Sequence, residues 1–79
     1  MANREKTTIE EQLKEIGLKL KELRVEKGYK SYETFALDNN LDRKQYWRME
    51  KGTNITLKSL IKILNIYNMT LSDFFLRKN

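Results

Sequence analysis

Residues 41–52, LDRKQYWRMEKG, concentrate hydrogen-bond donors and aromatic surface in one short segment. The segment contains four cations, one Tyr and the only Trp of the chain, with no Pro and a single Gly at its end. Winding residues 43–50 as a helix, at about 100° per residue, places Tyr46, Met49 and Glu50 on one face. The opposite face places cations beside an indole ring. Exposure of this face to water alone would be unfavourable, because the like charges repel one another and the indole leaves apolar surface in water.

The outward face predicted for this helix consists of Arg43, Lys44, Trp47 and Arg48. Arg and Lys donate hydrogen bonds to guanine O6 and N7, Gln pairs with adenine, and an apolar ring can contact a thymine methyl. Residues 43–51 carry four cations and one anion, a local charge of +3. The segment therefore predicts a helix that fits the major groove of B-form DNA. The alternative interpretation is a basic face that only water covers.

The composition excludes most catalytic and metal-binding chemistry. The chain has no Cys and no His, so it lacks thiolate ligands, the usual general base and the commonest metal ligand. Gly17, Gly28 and Gly52 are too far apart for a glycine-rich phosphate loop, and the carboxylates alternate with Lys along the chain. We therefore expect no enzymatic activity, no metal and no cofactor.

The size and charge of the chain indicate which classes of partner it could bind. At 79 residues a single core is close to its lower limit, so self-association would add useful stability. The net charge of +5 favours a polyanionic partner, nucleic acid or an anionic membrane. A cationic face with one Trp instead of an apolar half disfavours the membrane. Without a bilayer-length apolar run or a signal peptide, the expected location is the cytoplasm.

Apolar periodicity and capping residues predict five helices and no strand. We expect a flexible leader over residues 1–8 and a single domain over residues 9–79. The first helix is predicted from about residue 9 to 27, ending at Gly28, with an apolar stripe of Ile9, Leu13, Ile16, Leu20 and Leu23. The other four helices are predicted to begin at the N-caps Ser31, Asp42, Thr56 and Thr70, and the first three of them to end near Asn39, Gly52 and Asn68.

The last two predicted helices are rich in apolar residues. The fourth has too many for one narrow stripe, which predicts a central helix contacted from several sides: Leu57, Leu60, Ile61, Ile63, Leu64 and Tyr67. The C-terminal segment contains more large apolar residues than a small core can bury there: Phe74, Phe75 and Leu76. Part of this cluster is therefore expected to form a dimer contact. Ile9 and Leu13 are further candidates for that contact.

Three segments, in order, resemble the phage repressor and Cro-type helix-turn-helix family, also called the XRE family. IGLKLKELRVEKG matches its first helix, SYETFALDNNLDRKQYWRMEKG its helix-turn-helix, and ITLKSLIKILNIYNMTLSDFF its last two helices. The resemblance implies an all-α, five-helix, lambda-repressor-like DNA-binding domain that binds an operator as a homodimer, with residues 42–51 as its recognition helix. The size of the chain and its sequence segments LDR and NITLKSL resemble those of stand-alone controllers of restriction-modification systems.

The resemblance also implies a role for particular residues. Base contacts fall on Arg43, Lys44 and Arg48, with Gln45 and Trp47 beside them. Phosphate contacts fall on Ser31 and Tyr32 before the second helix and on Lys51, Thr53 and Asn54 after the third. A structural ion pair between the first and third helices falls on Arg24 and Glu50, and the inward position of Glu50 in the helical winding calls for such a cation.

The chain departs from the family pattern at several positions. One extra residue separates Gly28 from Ser31, and Tyr32 stands where the family usually has Gln. Leu37 occupies a position that is usually polar and Asn39 one that is usually apolar, which suggests a slightly rotated second helix. The large Trp47 side chain could contact a base or fold back over Tyr32 or Met49.

A second function class remains open from the sequence. The same helices could form an antitoxin-like module that neutralises a toxin or binds another protein, with DNA binding secondary. The C-terminal aromatic cluster is the main support for this alternative.

Overall fold

The computed structural model describes residues 8–77, which form five α-helices and no strand. The helices are α1 (Ile9–Glu26), α2 (Tyr32–Asp38), α3 (Arg43–Glu50), α4 (Leu57–Ile66) and α5 (Leu71–Leu76). The prediction of five helices and an all-α fold is confirmed over these described residues. The predicted leader lies outside the described residues except for Thr8, and so do the last two residues of the predicted domain.

Each helix begins at a side chain that accepts backbone N–H groups of the first turn, as the capping pattern predicts. These N-caps are Thr8, Ser31, Asp42, Thr56 and Thr70. The ends of α1 to α4 are followed by residues with positive φ, which stop each helix in the left-handed conformation: Gly28, Asn40, Gly52 and Asn68. The short segments between the helices are therefore fixed by local sequence.

The core contains buried apolar residues from all five helices, which pack around Phe35. The Phe35 ring lies 5.2 Å from Tyr29, 5.0 Å from Tyr46 and 5.9 Å from Tyr67, measured between ring centroids. The buried set is Leu20, Leu23, Phe35, Ala36, Tyr46, Met49, Leu60, Ile63, Leu64 and Phe74. The aromatic rings thus connect α2 to α3 and to the end of α4.

Ile9, a candidate for the dimer contact, is 73% exposed because it lies in the first turn of α1, beyond the packed part of that helix. The prediction that α4 is a central helix contacted from several sides is wrong. In α4, Leu57 is 65% and Ile61 43% exposed, because this helix packs on the core through one face only. α4 is therefore a peripheral helix with an apolar outer face, and α1 joins the core only from Ile16 onward.

Two glycines allow α1 to approach the end of α3 very closely. A Cβ atom on Gly17 would lie 2.4 Å from the carbonyl oxygen of Glu50, and one on Gly52 would lie 2.7 Å from the Cα atom of Lys14. Gly52 also has φ +82°, which L side chains rarely adopt. The C-terminal end of α3 is consequently held against the backbone of α1.

Candidate nucleic-acid interface

Helix α3 presents two chemically different faces. Tyr46 and Met49 are buried, whereas its outward face is exposed and consists of Arg43, Lys44, Gln45, Trp47 and Arg48. Asp42 caps the helix by accepting the backbone N–H of Gln45 at 2.9 Å. The outward face predicted from the helical winding is exposed, and Gln45, which the winding did not assign to that face, is exposed as well.

An ion pair holds the inner face of α3. Arg24 Nε donates to Glu50 Oε2 at 2.6 Å, Arg24 Nη2 to Glu50 Oε1 at 3.1 Å, and Arg24 Nη1 to the carbonyl oxygen of Tyr29 at 2.9 Å. The Arg24 and Glu50 side chains are only 5% and 7% exposed. The hydrogen bond to Glu50 raises the pKa of Arg24 further above its usual value, so the guanidinium stays charged despite burial.

Tyr46 completes this buried network. Its hydroxyl donates to Glu50 Oε2. Burial, followed by the hydrogen bond to the Glu50 carboxylate, raises the pKa of Tyr46 far above its ordinary value. The carboxylate of Glu50 is thus satisfied by Arg24 and Tyr46, and these contacts fix the rotation of α3 about its axis.

Trp47 lies at the edge of the outward face. Its side chain is 41% exposed, its ring centroid is 6.4 Å from that of Tyr32, and Lys51 Nζ lies 5.6 Å from the Trp47 ring centroid. The Trp47 ring lies beside Tyr32, and part of the indole remains open to solvent.

The predicted phosphate-contact residues lie in two places, at the N-terminus of α2 and just after α3. Ser31 Oγ accepts the backbone N–H groups of Glu33 and Thr34 at 3.1 and 3.2 Å, so its hydroxyl serves α2 as an N-cap. Tyr32 opens α2, where the first backbone N–H has no intrahelical acceptor. The Glu33 carboxylate also lies here, 3.3 Å from Ser31 Oγ, and adds negative charge beside this N-terminus.

After α3, the three predicted phosphate-contact residues are exposed but differ in their available groups. Thr53 Oγ1 donates to the carbonyl oxygen of Arg48 at 3.1 Å, so that hydroxyl proton is already used. Asn54 has φ +53°, in the left-handed region. Lys51 makes no ion pair within the described residues, and its ammonium group remains available for an anion.

Asn39 and Leu37, which depart from the family pattern, differ in what they contribute to the fold. Asn39 is the C-cap, and its Nδ2 donates to the carbonyl oxygen of Phe35 at 2.9 Å. A polar residue at a position that the family usually fills with an apolar one therefore closes the helix end. Leu37 is 80% exposed and contributes nothing to the core.

The sequence did not predict a groove between α1, the start of α2 and the end of α3. Its volume is about 440 Å³, and Lys14 and Lys21 of α1 line it together with Lys51. The sequence gives little indication of this groove, because the numbers of cations and anions along α1 are nearly balanced and predict no positive surface on that helix. The seven-residue spacing of Lys14 and Lys21, which keeps both on one side of the helix, is the available signal.

The part of the chain that the structure describes contains no group of three or more His, Cys, Asp or Glu residues that could hold a metal ion. Over the same residues, no helix has both the length and the apolar character needed to cross a bilayer.

Comparison with known proteins finds a relative of similar size. The chain is 45% identical to the control protein C.MunI of a Mycoplasma species over 60 residues, which are 75% of this chain and 81% of that protein. No protein-family model matches the chain. No solved structure matches it either.

Proposed function

The chain belongs to the controller-protein family, and from this premise we propose that it is a sequence-specific regulator of transcription that binds double-stranded DNA as a homodimer. Residues 42–51 enter the major groove of an operator, within a lambda-repressor-like helix-turn-helix arrangement of the five helices. The protein is a regulator and not an enzyme. It acts in the cytoplasm, the compartment that contains the operator DNA. Its operator belongs to a restriction-modification system.

The observation that carries this proposal is the outward face of α3. Arg43, Lys44 and Arg48 are exposed on a helix whose opposite side is fixed by Arg24 and Glu50. Arg and Lys are the common donors to guanine, and a rigid helix presents them to base edges with little loss of conformational freedom. Gln45 and Trp47 adjoin these cations and complete the set of proposed base contacts.

Phosphate contacts are proposed on both sides of this face. The N-terminus of α2, at Ser31 and Tyr32, offers backbone N–H groups and the positive end of the helix dipole. Lys51, Thr53 and Asn54 follow the recognition helix and are exposed. Phosphate contacts of this kind set the register of a protein on DNA, whereas base contacts set its sequence preference.

The proposed dimer uses the apolar outer face of α4 and α5, defined by Leu57, Ile61, Leu71 and Phe75. Ile61 and Leu71 line the same shallow depression between the two helices, and Leu57 and Phe75 each lie one helical turn further along. A two-fold dimer suits the operator, because it places two recognition helices in successive major grooves about 34 Å apart. Dimerisation also makes operator occupancy depend on the protein's own concentration.

Selection of bound duplexes from a random-sequence pool tests the proposal. We expect enrichment of a two-fold symmetric site with half-sites about one helical turn apart. A pool that remains random after several rounds would contradict operator recognition.

A second candidate is an antitoxin-like module that binds a protein partner through its C-terminal surface. The exposure of Phe75 (50%) and Leu76 (79%) favours it. Salt separates the two functions: the logarithm of a DNA affinity falls by about 0.9 per phosphate contact for each tenfold rise in salt, whereas an apolar protein contact responds little.

A further inference from the structure

We infer that Lys14 and Lys21 of α1, together with Lys51, hold the phosphate backbone of the duplex beside the segment that α3 reads. This inference rests on the proposed DNA-binding function and extends its site to a helix that the family motif leaves as scaffold. The occupant is the sugar-phosphate backbone of the same double-stranded DNA.

The groove that carries the inference is strongly positive. Eight residues line its volume of about 440 Å³: Lys14, Leu18, Lys21, Arg24, Tyr32, Trp47, Glu50 and Lys51. The one carboxylate among them, Glu50, is neutralised by Arg24. No unpaired carboxylate among the lining residues therefore offsets the charge of the three lysines, and an anion lowers their mutual repulsion.

The lysines are held beside the recognition helix by backbone packing. The contacts of Gly17 with the Glu50 carbonyl and of Gly52 with the Lys14 Cα atom leave no space for a Cβ atom. Lys14 consequently adjoins the turn after α3, where Lys51 lies. When α3 is bound to DNA, a DNA strand whose phosphates reach Lys51 can therefore also reach Lys14. No movement of the helices is needed.

Lys14 and Lys21 are exposed and have no intramolecular partner among residues 8–77. Lys19 of α1 and Lys27, the C-cap of α1, differ in this respect. Lys19 Nζ donates to the carbonyl oxygens of Phe74 and Arg77 at 3.4 and 3.3 Å. Lys27 Nζ lies 5.8 Å from the ring centroid of Tyr67. The free ammonium groups are thus concentrated on the side of α1 that faces the groove.

The dimensions favour a polymer over a single small anion. Seven residues separate Lys14 from Lys21, which is about 10 Å along a helix axis. This span is longer than a single phosphate group, and it suits two phosphates of one strand, one for each lysine. The groove also continues into Tyr32 and Lys51, which already belong to the proposed phosphate contacts.

The test compares the Lys14→Ala/Lys21→Ala double variant with the wild type on a selected operator and on a random duplex, over a range of salt concentrations. We expect an equal fold-loss of affinity on both duplexes and a salt slope smaller by about 1.8, or about 0.9 for each lost phosphate contact. The Lys14→Arg/Lys21→Arg variant should keep the wild-type slope. Lys27→Ala, which removes one cation from the same helix outside the groove, should keep it as well.

Wild-type operator binding with an unchanged slope in the double alanine variant would overturn this inference and leave the proposed function intact. Failure of the wild type to bind any duplex would overturn both. Trp47, the only Trp of the chain, lines the groove but also belongs to the proposed base contacts, so the fluorescence change on binding is compared between the wild type and the Lys14→Ala/Lys21→Ala variant. Inorganic phosphate, at the phosphate concentration of the duplex, should leave this signal unchanged. An equal response to both would reassign the groove to a small anion.

Discussion

Arg24 of α1 and Glu50 of α3 form a bidentate pair, with Nε to Oε2 at 2.6 Å and Nη2 to Oε1 at 3.1 Å. Both side chains are almost entirely removed from water. A buried charge that loses its partner is costly, so the pair makes the orientation of α3 depend on α1. The proposed DNA recognition by α3 would therefore depend on the same contact that stabilises the fold.

Replacing Arg24 with Met should lower the free energy of unfolding by about 3 to 5 kcal/mol, because Glu50 then remains buried without its cation. Urea denaturation followed by circular dichroism measures this loss. The matched control is Arg77→Met, which removes the pair with Glu26, a residue whose side chain is 60% exposed. That control should cost less than about 1 kcal/mol. Equal stability of the Arg24 variant and the wild type would contradict burial of the pair.

The approach of α1 to α3 at Gly17 gives a second expectation. Gly→Ala inside a helix normally stabilises by about 0.5 to 1 kcal/mol. At Gly17 we expect the opposite, a loss of about 1 to 3 kcal/mol, because the new Cβ atom meets the backbone carbonyl of Glu50. Thermal unfolding of Gly17→Ala decides the sign, and a higher melting temperature would show that the two helices do not touch there.

Local features of the fold could be predicted from the sequence, because caps and helix periodicity depend on neighbouring residues. The N-caps Ser31 and Asp42 and the two faces of α3 are of this kind. The exposure of Leu57 and Ile61 could not be predicted, since it depends on how many helices surround α4. The groove at Lys14 could not be predicted either, because it arises from the close packing of α1 on the end of α3.

Two buried phenols make stability sensitive to alkaline pH. Burial is the largest cause that raises the pKa of Tyr46 and of Tyr67 far above the ordinary value of 10.0. Below about pH 10 both phenols are protonated in the folded and unfolded chain, so they add no pH dependence. Above it the unfolded chain loses protons that the folded chain keeps, and each phenol lowers stability by up to about 1.4 kcal/mol per pH unit.

Urea denaturation between about pH 9 and 11 checks this expectation. The Tyr46→Phe variant is the comparison, since it should lose part of the alkaline decline while its stability at neutral pH falls through loss of the hydroxyl bonded to Glu50. Identical pH slopes for the variant and the wild type would show that the Tyr46 phenol titrates normally in the folded protein.

The proposed dimer surface on α4 and α5 can be tested separately from DNA. Ile61→Glu places a charge in the middle of that surface and should shift the protein to monomer in sedimentation experiments, with the helical content retained. Leu37→Glu is the matched control, because Leu37 is also exposed but lies on α2. It should sediment as the wild type does. An Ile61 variant that sediments unchanged would place the dimer contact elsewhere.

The central claim is that the outward face of α3 reads base edges. The most direct measurement is the ratio of affinities for the selected operator and a random duplex, at fixed salt, in Arg43→Ala, Arg48→Ala and Lys51→Ala. Each Arg variant should lose about 1 to 3 kcal/mol on the operator and relax the preference at one base pair, whereas Lys51→Ala should weaken both duplexes alike. Equal losses on the two duplexes in the Arg variants would contradict the claim.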